Sequence, residues 1–292
     1  ISLEKLNQIV GEKQQFVPIE YSKEMTLGGA VATNFWGASK MRFGAPRDLV
    51  TGVDAVLSDG RLVRGGGKVV KNVSGYDLPK VFTGSFGSLG LITRVTIRLR
   101  PQNASTQIWQ IATDAQNAAR IAFHVLDGAF EPTILRVVST RNASVVLAQF
   151  DGAPSSVESQ ISQLKNEWGA SESKSLSPFG DEPFVLRVVL PLRSAPHFAN
   201  RILESGATTS AWDAGSGLVR ASFRDLLDVH VLRAEAKQLG GWLVVDRAPV
   251  QHKTPDFVWG APEAGNLALM RRLKEKFDPA GIFAPGRYVG GL

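Results

Sequence analysis

Between Glu24 and Pro101 glycines recur singly, in pairs and in one triplet, Gly65-Gly66-Gly67, among short apolar runs. Glycine loses more conformational freedom on ordering than any other residue, so this spacing reads as extended strands joined by turns. Two common phosphate-loop signatures do not fit. A dinucleotide fingerprint sets G-x-G-x-x-G after a strand and at the opening of a helix. Here Gly84, Gly87 and Gly90 are spaced three apart and precede a strand. A nucleoside-triphosphate loop requires G-x-x-x-x-G-K-[ST], but Gly67-Lys68 is followed by Val69 and position 62 is leucine. Each glycine taken singly reads as a turn residue. Taken together, "LGGAVATN" at 27–34 and "GSFGSLGLI" at 84–92 bare a main chain on which a large flat ligand could lie. N–H groups without a neighbouring Cβ approach a ligand's oxygens closely.

Around this core, "LVTGVDAVLSDGRLVRGG" is two β-rich runs about Asp59-Gly60, a hairpin signal. "GLITRVTIRLRP" alternates Ile92, Val95, Ile97 and Leu99 with polar residues, which predicts a half-buried strand closed by Pro101. "GYDLPKVF" predicts a short helix with Pro79 in its first turn. The opening "ISLEKLNQIV" predicts a helix with Leu3, Leu6 and Ile9 on one face.

From 102 to 248 the glycines thin out, and strands alternate with amphipathic helices. "TQIWQIAT" is a strand, "DAQNAARIAFHVLDG" a helix between Asp114 and Gly128, "TILRVVS" and "ASVVLAQF" strands, and "SSVESQISQLKNEWG" a helix. The order β-α-β-β-α then recurs from "FVLRVVLP" to "WLVVDRA", with 171–183 as the loop between the halves. Two ferredoxin-like split βαβ units on an antiparallel sheet are expected, and hence an α+β fold. From 249 to 292 one helix, "NLALMRRLKEKFDP", carries the stripe Leu267, Met270, Leu273 and Phe277, and a proline- and glycine-rich strap follows.

The length of 292 residues is comfortable for two domains, and no run of eighteen apolar residues predicts a membrane span. Without cysteine the chain cannot form disulfides, hold a thiolate iron–sulfur cluster or use a thiol nucleophile. A reducing compartment fits. The net charge of +6 is concentrated. Residues 40–100 hold Lys40, Arg42, Arg47, Arg61, Arg64, Lys68, Lys71, Lys80, Arg94, Arg98 and Arg100 against Asp48, Asp54, Asp59 and Asp77. Aromatics are not interleaved as in a single-strand nucleic-acid platform, so a phosphate-bearing small molecule explains the charge better than nucleic acid.

The strings "TLGGAVATN", "RFGAPRDLVTGVDAVLSDGRLV", "GGKVVKNVSGYDLPKVFTGSFGSLGLITRVTIRLRP" and the distal "LKEKFDPAGIFAPGR" resemble FAD-linked oxidases of the vanillyl-alcohol oxidase, or PCMH, type. Within these the chain is most similar to FAD-binding accessory subunits of bacterial glycolate oxidases (glycolate dehydrogenases). The match is dense over 24–101, recurs at 270–287 and is only architectural between. The resemblance implies a partial PCMH-type FAD-binding domain over 1–101, a cap of two ferredoxin-like units over 102–248, and a strap over 249–292 returning to the first domain. It implies that Thr26, Gly28, Gly29, Ala30, Thr33 and Asn34 line the flavin ring and ribityl chain, followed by Arg42 and Gly44. It places Lys71, Gly75, Tyr76 and Asp77 near the cofactor. Gly84, Gly87, Gly90 and Ile92 approach its pyrophosphate and adenine end, and Arg287 is a cation beside it.

The expected cofactor is FAD, held non-covalently, since the glycine-rich domain has no histidine to link it. The expected reaction passes a hydride from the α-carbon of a 2-hydroxy acid to the flavin. The expected partners are a catalytic FAD subunit and an iron–sulfur subunit, with a cytoplasmic location, peripheral to the inner membrane through those partners.

Three departures accompany the resemblance. The family's first pyrophosphate loop, of the R-x-x-G-G-x-T kind, would precede the helix at which this chain opens. The G-H-x-G-D-G-N-x-H motif of catalytic members, a metal and substrate site, has no counterpart, and His124, His197, His230 and His252 are scattered. No metal site and no catalytic base are therefore assigned, with His252 the least implausible candidate. The terminal N-P-G-R/K of relatives reads Ala284-Pro285-Gly286-Arg287. A cofactor-free scaffold subunit and an independent FAD-dependent oxidase stay open as alternatives.

Overall fold

The structure, a computed structural model, describes residues 1–22, 24–68, 77–176, 179–225 and 228–292. The fold is mixed α/β with antiparallel sheets. Two compact units divide the chain: Ile1–Gln102 with Ala261–Leu292, and Asn103–Gly260.

In the first unit, α1 (Leu3–Gly11) begins at Ser2, whose hydroxyl accepts the Lys5 N–H. Its packed face is Leu3, Leu6 and Val10, not Leu3, Leu6 and Ile9, and Ile9 stays 48% exposed. Helical geometry explains the correction: seven residues make nearly two turns and bring Val10 back over Leu3, whereas six stop about a third of a turn short. After the short strand β1 (Gln15–Phe16) come three helices, α2 (Leu27–Thr33), α3 (Lys40–Phe43) and α4 (Pro46–Leu49), where extended chain was expected.

The reason is capping and burial. Thr26 caps α2 at its N-terminus, Asn34 closes it in the left-handed region (φ 47°), and Ala30 and Val31 are fully buried. These gains offset the penalty of about 1 kcal/mol for each helical glycine. Pro46 opens α4, and the Asp48 carboxylate accepts the Ala45 N–H at 2.8 Å.

β2 (Val50–Val56) and β3 (Leu62–Gly66) form the expected hairpin, with Gly60 at φ 82°. α5 (Leu78–Phe82) has Pro79 in its first turn. β4 (Leu91–Ile97) completes an antiparallel sheet of order β3-β2-β4. The strand ends at Ile97 rather than Pro101. The Arg98 N–H turns back to the Leu49 carbonyl, Leu99 joins the cluster around Leu3, and β5 (Arg100–Pro101) pairs with β1. A second cluster, Val31, Val53, Ala55 and Phe82 among it, lies under the sheet. Complete burial of Phe82 is worth about 1.5–3 kcal/mol.

In the second unit, β6 (Ser105–Thr113), α6 (Ala115–Asp127), β7 (Ile134–Ser139), β8 (Ser144–Gly152), α7 (Pro154–Trp168) and β9 (Ser171–Glu172) form one half. β10 (Phe184–Val189), α8 (Ala195–Glu204), β11 (Thr209–Asp213), β12 (Leu218–Phe223), α9 (Val229–Gln238) and β13 (Trp242–Arg247) form the other. One eight-stranded sheet of order β13-β10-β12-β11-β7-β8-β6-β9 holds both, antiparallel throughout. Each half thus runs βαββαβ, and the halves meet where β7 pairs with β11. The stretch expected to be only loop supplies β9, two residues too short to show an alternating pattern. α10 (Pro255–Trp259) ends the unit.

The chain then returns to the first unit as α11 (Ala264–Phe277). Its predicted stripe is half-buried, with Leu273 and Phe277 against the cluster of Phe82, and the two phenylalanine rings meet edge to face at 5.7 Å. Among the described residues no helix is long and apolar enough to cross a membrane.

Candidate functional site

The two glycine-rich stretches meet at the end of α2. A helix leaves its last carbonyls without intrahelical donors. The Gly84 N–H donates to the Val31 carbonyl at 3.0 Å, and the Phe86 N–H to the Ala32 carbonyl at 2.8 Å. The loop 84–88 therefore closes off α2, and the segments 27–34 and 84–92 form one surface.

On α2, Thr26 Oγ1 accepts the Gly29 N–H at 3.0 Å, and Thr33 Oγ1 donates to the Gly29 carbonyl at 2.7 Å. Asn34 Oδ1 accepts the Arg47 N–H at 3.0 Å. Thr26, Ala30 and Asn34 thus build the helix whatever else they touch. The glycines separate into two kinds. At Gly44 (φ 84°) a Cβ would press on Asp48 at 2.9 Å, and at Gly90 on the Val56 carbonyl at 2.9 Å and the Phe82 ring at 3.1 Å. Those two are needed by the fold. At Gly28 and Gly87 a Cβ would meet no described residue within 4 Å, so main chain there stands clear of them, although the φ of 70° at Gly87 favours glycine in its own right.

Beside Gly87, the Ser85 side chain is buried, and its hydroxyl has no hydrogen-bond partner among the described residues. Bare backbone of the kind at Gly28 and Gly87 suits a flat ligand rich in acceptors, so these residues fit a flavin dinucleotide.

Arg42 is exposed on α3. Asp77 caps α5 and pairs with Lys80 at 3.0 Å; the hydrogen bond from Lys80 holds its carboxyl below the ordinary value. Ile92 is half-buried in β4, and Arg287 is exposed in the tail. Lys71, Gly75 and Tyr76 lie outside the described residues.

The histidines do not converge. His252 packs between the rings of Phe184 and Phe257, His124 contacts Glu167 at 3.1 Å, and His230 lies 3.8 Å from Asp256. Among the described residues no group of three acidic or histidine side chains is arranged to hold a metal.

Sequence reasoning missed two contributors: Lys274 and Tyr288. The Tyr288 ring stacks on Phe86 at 5.1 Å and 24°, and its hydroxyl donates to the Gly84 carbonyl at 3.2 Å. Burial raises the pKa of that hydroxyl, which keeps it a donor. Lys274 Nζ donates to the Ser88 carbonyl at 2.8 Å. Both contacts join residues about two hundred positions apart, for which no local sequence signal exists.

Comparison with known proteins gives two matched stretches. Residues 1–66 match an FAD binding domain, and residues 260–288 match the C-terminal domain of FAD linked oxidases. The chain is 26% identical to glycolate oxidase subunit GlcD of Bacillus subtilis (strain 168), over 95% of this chain and 71% of that protein. It is 24% identical to glycolate oxidase subunit GlcE of Escherichia coli (strain K12), over all of this chain and 80% of that one. In fold it resembles alkyldihydroxyacetonephosphate synthase, with a TM-score of 0.64 and 15% identity over 97% of this chain. It spans only 62% of that structure. FAD-linked oxidase sequence therefore stands at both ends of the chain, and FAD is the cofactor that these matches support.

Proposed function

We infer that the chain is the FAD-carrying subunit of an FAD-linked 2-hydroxy acid oxidoreductase, of the glycolate oxidase kind. One observation carries the reading: α2 and the loop 84–88, far apart in sequence, are hydrogen-bonded into a single surface with open main chain at Gly28 and Gly87. In this reading the first unit is the FAD domain, and the second, with its repeated βαββαβ order, is a cap of two ferredoxin-like units.

Bound FAD would supply the hydride acceptor. The chain's own part is to hold and orient it. The N–H groups beside Gly28 and Gly87 offer hydrogen bonds, Arg42 and Arg287 supply positive charge, and Asp77 fixes the start of α5. Lys71, Gly75 and Tyr76 join this set on the resemblance alone. Without cysteine, an iron–sulfur relay would sit on a partner subunit. The two glycolate oxidase relatives are themselves named as subunits, which supports assembly with a second FAD subunit.

Titrating the purified chain with FAD tests the reading. The expected result is saturable binding, with a visible flavin spectrum that glycolate bleaches once partner subunits are supplied. A colourless chain that ignores FAD would sink it and favour the scaffold alternative.

A further inference from the structure

The loop 84–88 holds an unusual backbone. Phe86 has φ 53°, between Gly84 at 85° and Gly87 at 70°. A bulky side chain in the left-handed region is a genuine outlier, and such strain persists only where surrounding contacts over-determine it. Part of the support comes from α2, through the Gly84 and Phe86 N–H groups. More comes from the C-terminal segment. Tyr288 covers the Phe86 ring and bonds the Gly84 carbonyl, while Lys274 bonds the Ser88 carbonyl at the loop's other end.

Lys274 is itself fixed. Its ammonium donates to Asp278 at 2.6 Å and to the Phe283 carbonyl at 2.6 Å, and the Asp278 carboxylate accepts the Phe283 N–H at 2.9 Å. The segment that grips the loop is thus closed on itself by the same lysine.

We propose that Lys274 and Tyr288 are positioning residues: a C-terminal latch that holds the loop 84–88 in its strained form and so presents the main chain at Gly87 to the cofactor. The proposal rests on the FAD reading above. Neither side chain need touch the cofactor. They act through the loop, gripping it at both ends, and the tail contributes to binding from residues distant in sequence.

Hydrogen–deuterium exchange of the full chain without added FAD, together with FAD titration, tests the latch on Tyr288→Phe, Tyr288→Ala and Lys274→Met. Tyr288→Ala and Lys274→Met are expected to speed exchange at the amides of Gly84 and Phe86 by about tenfold or more, with β7 and β8 unchanged. FAD affinity is expected to fall by about tenfold, and Tyr288→Phe, which keeps the stack and loses one hydrogen bond, to lie between. Loop exchange equal to that of the parent chain overturns the latch. So does faster exchange spread evenly over the first unit, which would mean general destabilisation, and so does a loosened loop that binds FAD as tightly as before. If the parent chain also binds no FAD, the FAD reading fails and the positioning role with it, while the exchange data still report whether the tail grips the loop.

Discussion

Gly28 stands in a helix, where glycine is ordinarily a liability, and no contact with a described residue requires it. A Cβ there would meet no described residue within 4 Å, unlike one at Gly44 or Gly90. Gly28→Ala should therefore stabilise the folded chain by about 0.5–1 kcal/mol, the helix-propensity difference, as read by urea unfolding. If main chain there lies against FAD, the same methyl should lower FAD affinity severalfold. Stability gained with affinity unchanged would remove Gly28 from the contact surface. Asp278 gives a pH prediction. Burial raises its carboxyl pKa, but the Lys274 ammonium and the N–H groups of Phe283 and Ile282 outweigh that and hold it below the ordinary carboxylate value. A group lowered in the folded state contributes stability that is full above its unfolded value and lost as pH falls through its folded one. Exchange protection of the tail should therefore weaken below about pH 4. Asp278→Asn should abolish that dependence, at a loss of about 1–3 kcal/mol at neutral pH.

Among the elements, β7 and β11 join the two halves of the large sheet, and at their pairing Arg136 and Asp213 stand directly opposite. Both are buried, and they bond through two contacts, at 2.6 and 3.2 Å; Arg136 also reaches the Leu176 carbonyl at 3.0 Å. Removing one partner leaves a buried charge, so Arg136→Met or Asp213→Leu should each cost about 3–5 kcal/mol. The double variant should cost less than the sum, and a double-mutant cycle in urea measures the coupling. Additive losses would show that the pair does not pin the register. These elements also show how much the sequence disclosed. The repeated strand–helix order and the Asp59-Gly60 hairpin were legible because their signals are local and periodic. α2 was misread because its two glycines weigh against helix, while the deciding facts, burial of Ala30 and Val31 and closure by residues 84–86, are tertiary. At the candidate site the glycine clusters were readable, but the residues that grip them, Lys274 and Tyr288, were not, since those contacts span 186 and 204 positions.

At the scale of the whole molecule the two units differ in how the chain supplies them. The second is one continuous stretch, Asn103–Gly260, with its own sheet and helices, whereas the first needs both Ile1–Gln102 and Ala261–Leu292. A unit with its own core and no missing piece has what independent folding requires. Residues 103–260 alone are therefore expected to unfold cooperatively in urea, with the slope of a domain of that size. Residues 1–102 alone lose the α11 side chains Leu273 and Phe277 from the cluster around Phe82, along with the Lys274 and Tyr288 contacts. Stripping two large apolar groups from a core costs several kcal/mol, comparable with the whole stability of a small domain. That fragment should show little cooperative structure until a peptide of residues 261–292 is added, and circular dichroism with an added-peptide titration measures the recovery. A fragment 1–102 that folds unaided would mean the tail is an accessory to the first unit, and the strained loop 84–88 would then have to be held without Lys274 and Tyr288.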